Sequence, residues 1–117
     1  MTVTLYGIAN CDSVKKARKW LEEHGVAYRF HDYKKEGVRK ADLESWAGEA
    51  GWETLLNRRG TTWRKLPDAE KEGVDEARAI DLMAANPSLI KRPVIAHDGP
   101  LLVGYDTARY EDAGLAA

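Results

Sequence analysis

Cys11 is the only cysteine of the chain, and it stands where an apolar run gives way to short polar residues, in Asn10-Cys11-Asp12-Ser13. Before it, Val3-Thr4-Leu5-Tyr6-Gly7-Ile8 is β-branched, aromatic and almost continuously apolar, as a strand covered on both faces would be. After it, Val14, Ala17 and Leu21 recur at helical spacing with Trp20 beside them. A sulfur at such a junction faces the unpaired amides and the positive end of a helix, which stabilise an anion. The chemistry this allows is attack by a thiolate on a disulfide or another electrophilic centre. A lone cysteine is also often a small buried hydrophobe. Polar neighbours on both sides argue against deep burial, and residue type and spacing leave the two readings evenly balanced. Asp12 should raise the thiol pKa and Lys15 and Lys16 should offset it, so moderate activation is expected.

Arg92 is the second candidate, because it precedes Pro93 at the entry to an apolar segment and could present a guanidinium to a carboxylate or oxyanion near the first helix. Beside Lys91, a solvated surface arginine is the commoner outcome. Pro93 itself allows a trans or a cis peptide, and trans is far more frequent. The run Asn57-Arg58-Arg59, with Lys65 nearby, could meet an anion, although such runs are usually solvated faces. His24, His31 and His97 lack the paired spacing of metal ligands, so no metal site is expected. Trp20, Trp46, Trp52 and Trp63 are read as core anchors rather than platforms for a base or nucleotide. No Walker loop or dinucleotide glycine fingerprint is present.

The elements that must position these residues follow from pattern. The first strand, placed centrally, leads into an amphipathic helix ending near Gly25, and Val26, Tyr28 and Phe30 then alternate with Ala27, Arg29 and His31 as in a strand near a sheet edge. Lys34-Lys35-Glu36-Gly37 reads as a polar turn, and Leu43, Trp46, Ala47 and Ala50 mark a second helix stopped at Gly51. Trp52 to Asn57 suggests a further helical turn, followed by a basic loop with a short helix up to Pro67. Asp75 suits the N-cap of a helix from Glu76 to Ala85, with Ala77, Ile80, Met83 and Ala84 buried and Asn86-Pro87 as the stop. Val94 to His97 and Leu101 to Val103 flank Asp98-Gly99, which tolerates the positive φ of a hairpin turn, and Pro100 fits a strand start or an edge. Asp106 or Thr107 can cap a last helix through Tyr110.

The 117 residues suit one domain with one core. Eighteen Lys and Arg against nineteen Asp and Glu give no electrostatic reason to bind nucleic acid. The N-terminus resembles no signal peptide, no stretch suits a bilayer, and a single cysteine agrees with a reducing compartment, so a cytoplasmic protein is expected, most simply a monomer. Redox chemistry here needs a second thiol from outside.

Three stretches together resemble the ArsC family, specifically its YffB-like branch, over Thr4 to about Tyr110. They are Tyr6 to Ala17 around Cys11, Leu55 to Leu66 in the middle, and Ile90-Lys91-Arg92-Pro93-Val94-Ile95. The resemblance implies an α/β, thioredoxin-like mixed four-stranded sheet with a helical insertion at about 38–86, Cys11 in the active-site loop and Pro93 as a cis-proline opposite it. Arsenate reductases of the family support their cysteine with three arginines. Only Arg92 matches one; Asn57 and Gly104 stand at the other two positions, which argues against arsenate as substrate, with Arg58 or Arg59 as possible substitutes for the first. The Spx branch, regulators that contact RNA polymerase, often carries a Cys-x-x-Cys switch, and Val14 stands at the second position. The YffB-like resemblance implies a glutathione-dependent thiol or disulfide reductase with Cys11 and Arg92 as catalytic residues, no tightly bound cofactor, and glutathione as co-substrate. Asn10, Asp12, Ser13, Arg92, Pro93, Gly104 and Tyr105 are the expected binding residues, and an Spx-like protein partner is the alternative.

Overall fold

The apolar run ahead of Cys11 forms strand β1, Thr4–Gly7, and the helical spacing after it forms α1, Asp12–Glu23, which buries Val14, Ala17, Trp20 and Leu21. The structure, a computed structural model, describes residues 3–115. Helix α1 ends where the His24 amide reaches the Trp20 carbonyl at 3.0 Å and Gly25 turns the chain with φ of +68°. Strand β2, Arg29–Asp32, then pairs in parallel with β1, a connection that needs a crossover such as α1. It starts later than Val26, at Arg29, which stands opposite Thr4 and whose amide donates to the Val3 carbonyl at 2.9 Å. Lys34 to Glu36, expected as a turn, belongs with Tyr33 to the four-residue helix α2, Tyr33–Glu36, of which only Tyr33 is buried.

Strands β3, Val94–Ala96, and β4, Leu102–Val103, complete a four-stranded sheet of order β2-β1-β3-β4, with β1 antiparallel to β3 and β3 antiparallel to β4. β1 is therefore interior and β2 an edge, as the continuous and alternating patterns predict. The β3–β4 turn differs from expectation: neither Asp98 nor Gly99 takes a positive φ. The His97 ring holds the turn instead, with Nε2 2.8 Å from the Pro100 carbonyl and Nδ1 3.2 Å from the Gly99 amide. Pro100 lies outside the strand. The final helix, Thr107–Asp112, is capped by Asp106, whose Oδ1 accepts from the Arg109 amide at 3.2 Å.

The chain divides into two compact units, one built from the residues up to Glu36 and from Arg92 onward, the other from Gly37–Lys91. The first holds the sheet around a core of Val3, Leu5, Val14, Ala17, Trp20, Leu21, Ile95, Leu102, Tyr110 and Leu115.

The second unit is helical: α3, Lys40–Ala50; α4, Trp52–Leu55; α5, Thr61–Lys65; α6, Asp68–Lys71; and α7, Glu76–Ala85, followed by a 3-10 turn at Pro87–Leu89. Gly51 ends α3 with φ of +87°, and Asp75 Oδ1 caps α7 through the Arg78 amide at 2.9 Å. The buried stripe of α7 is Ala79, Ile80, Leu82 and Met83. Ala77 is exposed and Ala84 only half-buried, so the helix is turned toward Leu82, whose larger side chain gains more from leaving water. Two of the four tryptophans are not core anchors. Trp52 and Trp63 are half-buried, with the Arg58 guanidinium 5.4 Å and the Lys71 ammonium 5.9 Å from their ring centroids. Among the described residues, no helix is long and apolar enough to cross a membrane.

Candidate active site

Cys11 is the N-cap of α1, in an extended conformation with φ of −130° and ψ of 128°, and its carbonyl accepts the Lys15 amide at 2.9 Å. The backbone on both sides of the sulfur is thereby fixed, while the side chain stays half-exposed. No capping hydrogen bond closes on the neutral thiol; the nearby donors act on its anion.

Arg92 supplies the strongest of these donors outside the helix. It is half-buried, its guanidinium favours the ionised Cys11 sulfur through hydrogen bonding and charge, and its peptide bond to Pro93 is cis. The solvated surface arginine and the trans peptide, each favoured by residue statistics, are both absent here. Buried Pro93 enters β3, and its carbonyl accepts the Gly104 amide at 2.8 Å. Gly104, with φ of +89°, is held from its other side as well, since its carbonyl accepts the hydroxyl of buried Tyr110 at 2.5 Å. The sequence pattern singles out Gly104 and Tyr105 but not Tyr110, which fixes them; only its place on the buried face of the last helix hinted at it.

The electrostatics follow from this geometry. Burial pushes the Cys11 thiol pKa up, whereas the Val14 amide, the hydrogen bond and charge of Arg92, and the Ser13 amide pull it down, and the net position is below that of an ordinary cysteine. The compensation expected from Lys15 and Lys16 thus comes from backbone amides and Arg92. The arrangement favours the thiolate over an ordinary cysteine's and places a cation beside the group it attacks.

The other predicted residues are placed as follows. Asn10 and Asp12 are exposed on either side of Cys11, Ser13 is half-buried, and Tyr105 is 40% exposed with its ring 6.1 Å from that of Tyr110. Asn57, Arg58 and Arg59 lie in the helical unit, where Asn57 Oδ1 accepts the Arg59 amide at 3.0 Å and Arg58 lies 3.6 Å from Glu53. Of the histidines, His24 binds the Trp20 carbonyl at 2.8 Å, and His31 stands 3.8 Å from Glu36 and packs on Tyr6. Among the described residues, no group of three or more His, Cys, Asp or Glu could hold a metal ion.

A model of the ArsC family matches residues 6–113, a span that includes the Cys11 loop and the Arg92–Pro93 strand entry. The chain belongs to the ArsC family. The solved structure of a protein named YFFB is 55% identical and covers 96% of this ArsC-family chain and 98% of its own, with a TM-score of 0.93. An arsenate reductase (ArsC) related protein of Brucella melitensis is also 55% identical, covers 96% of this chain and 93% of its own, and has a TM-score of 0.75. The global transcriptional regulator Spx of Listeria innocua is 31% identical over 106 residues, 89% of this chain and 80% of that protein. The mixed sheet with its helices is the thioredoxin-like ArsC fold of these neighbours, and this ArsC-family chain brings one cysteine to it.

Proposed function

We propose that this ArsC-family chain is a glutathione-dependent thiol/disulfide reductase whose nucleophile is Cys11. The observation that carries the reading is a half-exposed sulfur at the head of α1 whose ionised form is favoured by the Val14 amide and by Arg92. In the first step the Cys11 thiolate attacks the glutathione sulfur of a mixed disulfide. The new sulfur–sulfur bond forms at Cys11, and the substrate thiolate leaves and takes a proton from water. A glutathione thiolate then attacks the glutathione sulfur of the Cys11 adduct, glutathione disulfide departs, and the Cys11 thiolate is restored. Each turnover converts one mixed disulfide and one glutathione into one thiol and one glutathione disulfide, so a single protein sulfur suffices. Arg92 would hold a glutathione carboxylate or a substrate oxyanion, backbone groups at Pro93 would pair with the tripeptide, and Asn10, Asp12, Ser13, Gly104 and Tyr105 would line its path. Such a cycle belongs in a reducing, glutathione-containing cytoplasm and needs no second subunit.

Intact-protein mass spectrometry after exposure to glutathione disulfide tests this. The wild-type chain is expected to gain one glutathionyl group, and Cys11→Ser to gain none and to lose turnover in a glutathione-linked reductase assay. Unchanged turnover in Cys11→Ser refutes the mechanism.

The likeness to Spx favours a second reading, in which the chain docks on a protein such as RNA polymerase and needs no reactive thiol. Slow alkylation typical of an ordinary cysteine, together with specific binding to purified RNA polymerase, would support it over catalysis. Arsenate reduction ranks third, because Asn57 and Gly104 stand where the family's arsenate reductases carry arginine; robust turnover of arsenate with glutathione would reverse that order.

A further inference from the structure

The basic run of the second unit lines a groove of about 390 Å³, walled by Glu53, Leu56, Asn57, Arg58, Arg59 and Lys91. Two separate segments build it, and their backbones are joined. The Asn57 amide donates to the Leu89 carbonyl at 2.7 Å, the Lys91 amide donates to the Leu55 carbonyl at 2.8 Å, and Leu56 and Ile90 form an antiparallel bridge between them. Both bridge residues are buried, so the short ladder is anchored by its own apolar side chains. It sets Lys91 against the loop that carries the two arginines. That loop is held in turn: Asn57 Oδ1 accepts the Arg59 amide at 3.0 Å, and the Arg59 carbonyl accepts the Arg64 guanidinium at 2.8 Å. The backbone under the cations is therefore in place before any ligand arrives, which lowers the cost of binding one.

Three cations share this groove with one carboxylate, although the whole chain has a net charge of −1. The Glu53 carboxylate lies 3.6 Å from Arg58, whose guanidinium also stands 5.4 Å from the Trp52 ring centroid. Arg59 and Lys91 are exposed, and neither their guanidinium nor their ammonium has a hydrogen-bond or ion-pair partner among the described residues. Glu53 is the groove's own example of the group that suits these cations, a carboxylate on a flexible side chain. Leu56 is the one apolar residue of the six, so the largely apolar lining of a small-molecule pocket is missing. The chain's overall charge disfavours a nucleic-acid strand, which would run well beyond a groove of this size.

We propose that this groove docks an acidic segment of a partner protein. Carboxylates of that segment accept from the Arg59 guanidinium and the Lys91 ammonium, and Glu53 competes with them for Arg58. The contact depends on neither the Cys11 thiol nor glutathione, so it holds for a reductase and for a docking protein alike.

The test is fluorescence anisotropy of a short, labelled, cysteine-free peptide of alternating Glu and Gly, titrated with the full chain at low salt. Saturable binding that weakens as salt rises is expected. Arg59→Gln and Lys91→Gln should each weaken it about threefold and together about tenfold, as for ion pairs at a solvated rim. Glu53→Gln should tighten it about threefold by releasing Arg58. Lys19→Gln removes the same charge from an exposed position on α1 and should change nothing. Absence of binding at low salt, unchanged binding in the two groove variants, or an equal loss in Lys19→Gln overturns the proposal. A phosphoseryl peptide or a single-stranded oligothymidylate of equal charge that binds more tightly than the Glu peptide overturns the choice of an acidic protein segment.

Discussion

A β-carbon placed on Gly7 would stand 2.6 Å from Cγ2 of Val14 and 3.3 Å from its Cγ1. The end of β1 and the first turn of α1 thus meet at a distance only glycine allows, and Val14 is the residue whose amide helps hold the Cys11 thiolate. Gly7→Ala must push that turn away, because a valine methyl on a buried helix face has little room to yield. The variant should lose about 1–3 kcal/mol of stability, measured by urea denaturation, and its thiol should alkylate more slowly at neutral pH. Adding Val14→Ala should recover part of the alkylation rate by clearing the clash.

Arg92→Met keeps an unbranched side chain at position 92 but removes the hydrogen bond and the charge that favour the Cys11 thiolate. The alkylation profile should move to higher pH, and the rate at neutral pH should fall about tenfold, as expected for loss of a charge-assisted hydrogen bond. Iodoacetamide kinetics over a pH series give both quantities.

In the helical unit, Asp75→Ala removes the carboxylate that accepts the Arg78 amide. Thermal denaturation should show a loss of about 1 kcal/mol. Asp75→Asn should retain most of the stability, because an amide oxygen can cap in the same way.

Legibility in the sequence tracked how strongly a local pattern constrains the backbone. The unbroken apolar run of β1, the 14-17-21 spacing of α1 and the Asp75 cap each leave few alternatives, and each is found where expected. The four-residue helix Tyr33–Glu36 is too short to show a period, so Lys34 to Glu36 read as part of a polar turn. In the β3–β4 turn Asp98-Gly99 suggests a positive φ, whereas the ring of His97 closes it without one. The site divides in the same way. Cys11 is visible from its place between a strand and a helix, whereas Arg92 is separated from it by most of the chain. Only the fold, with β3 laid against β1, brings that guanidinium to the sulfur.

The proposed reaction depends on Cys11 ionising more readily than an ordinary cysteine, and the rate of its alkylation by iodoacetamide against pH measures that directly. A thiol is reactive as its anion, and a lowered pKa makes the anion appear at lower pH. The wild-type rate should therefore rise and level off at lower pH than that of a cysteine in an unstructured peptide of the same local sequence. A wild-type curve that coincides with the peptide's, or lies on its alkaline side, would contradict the account.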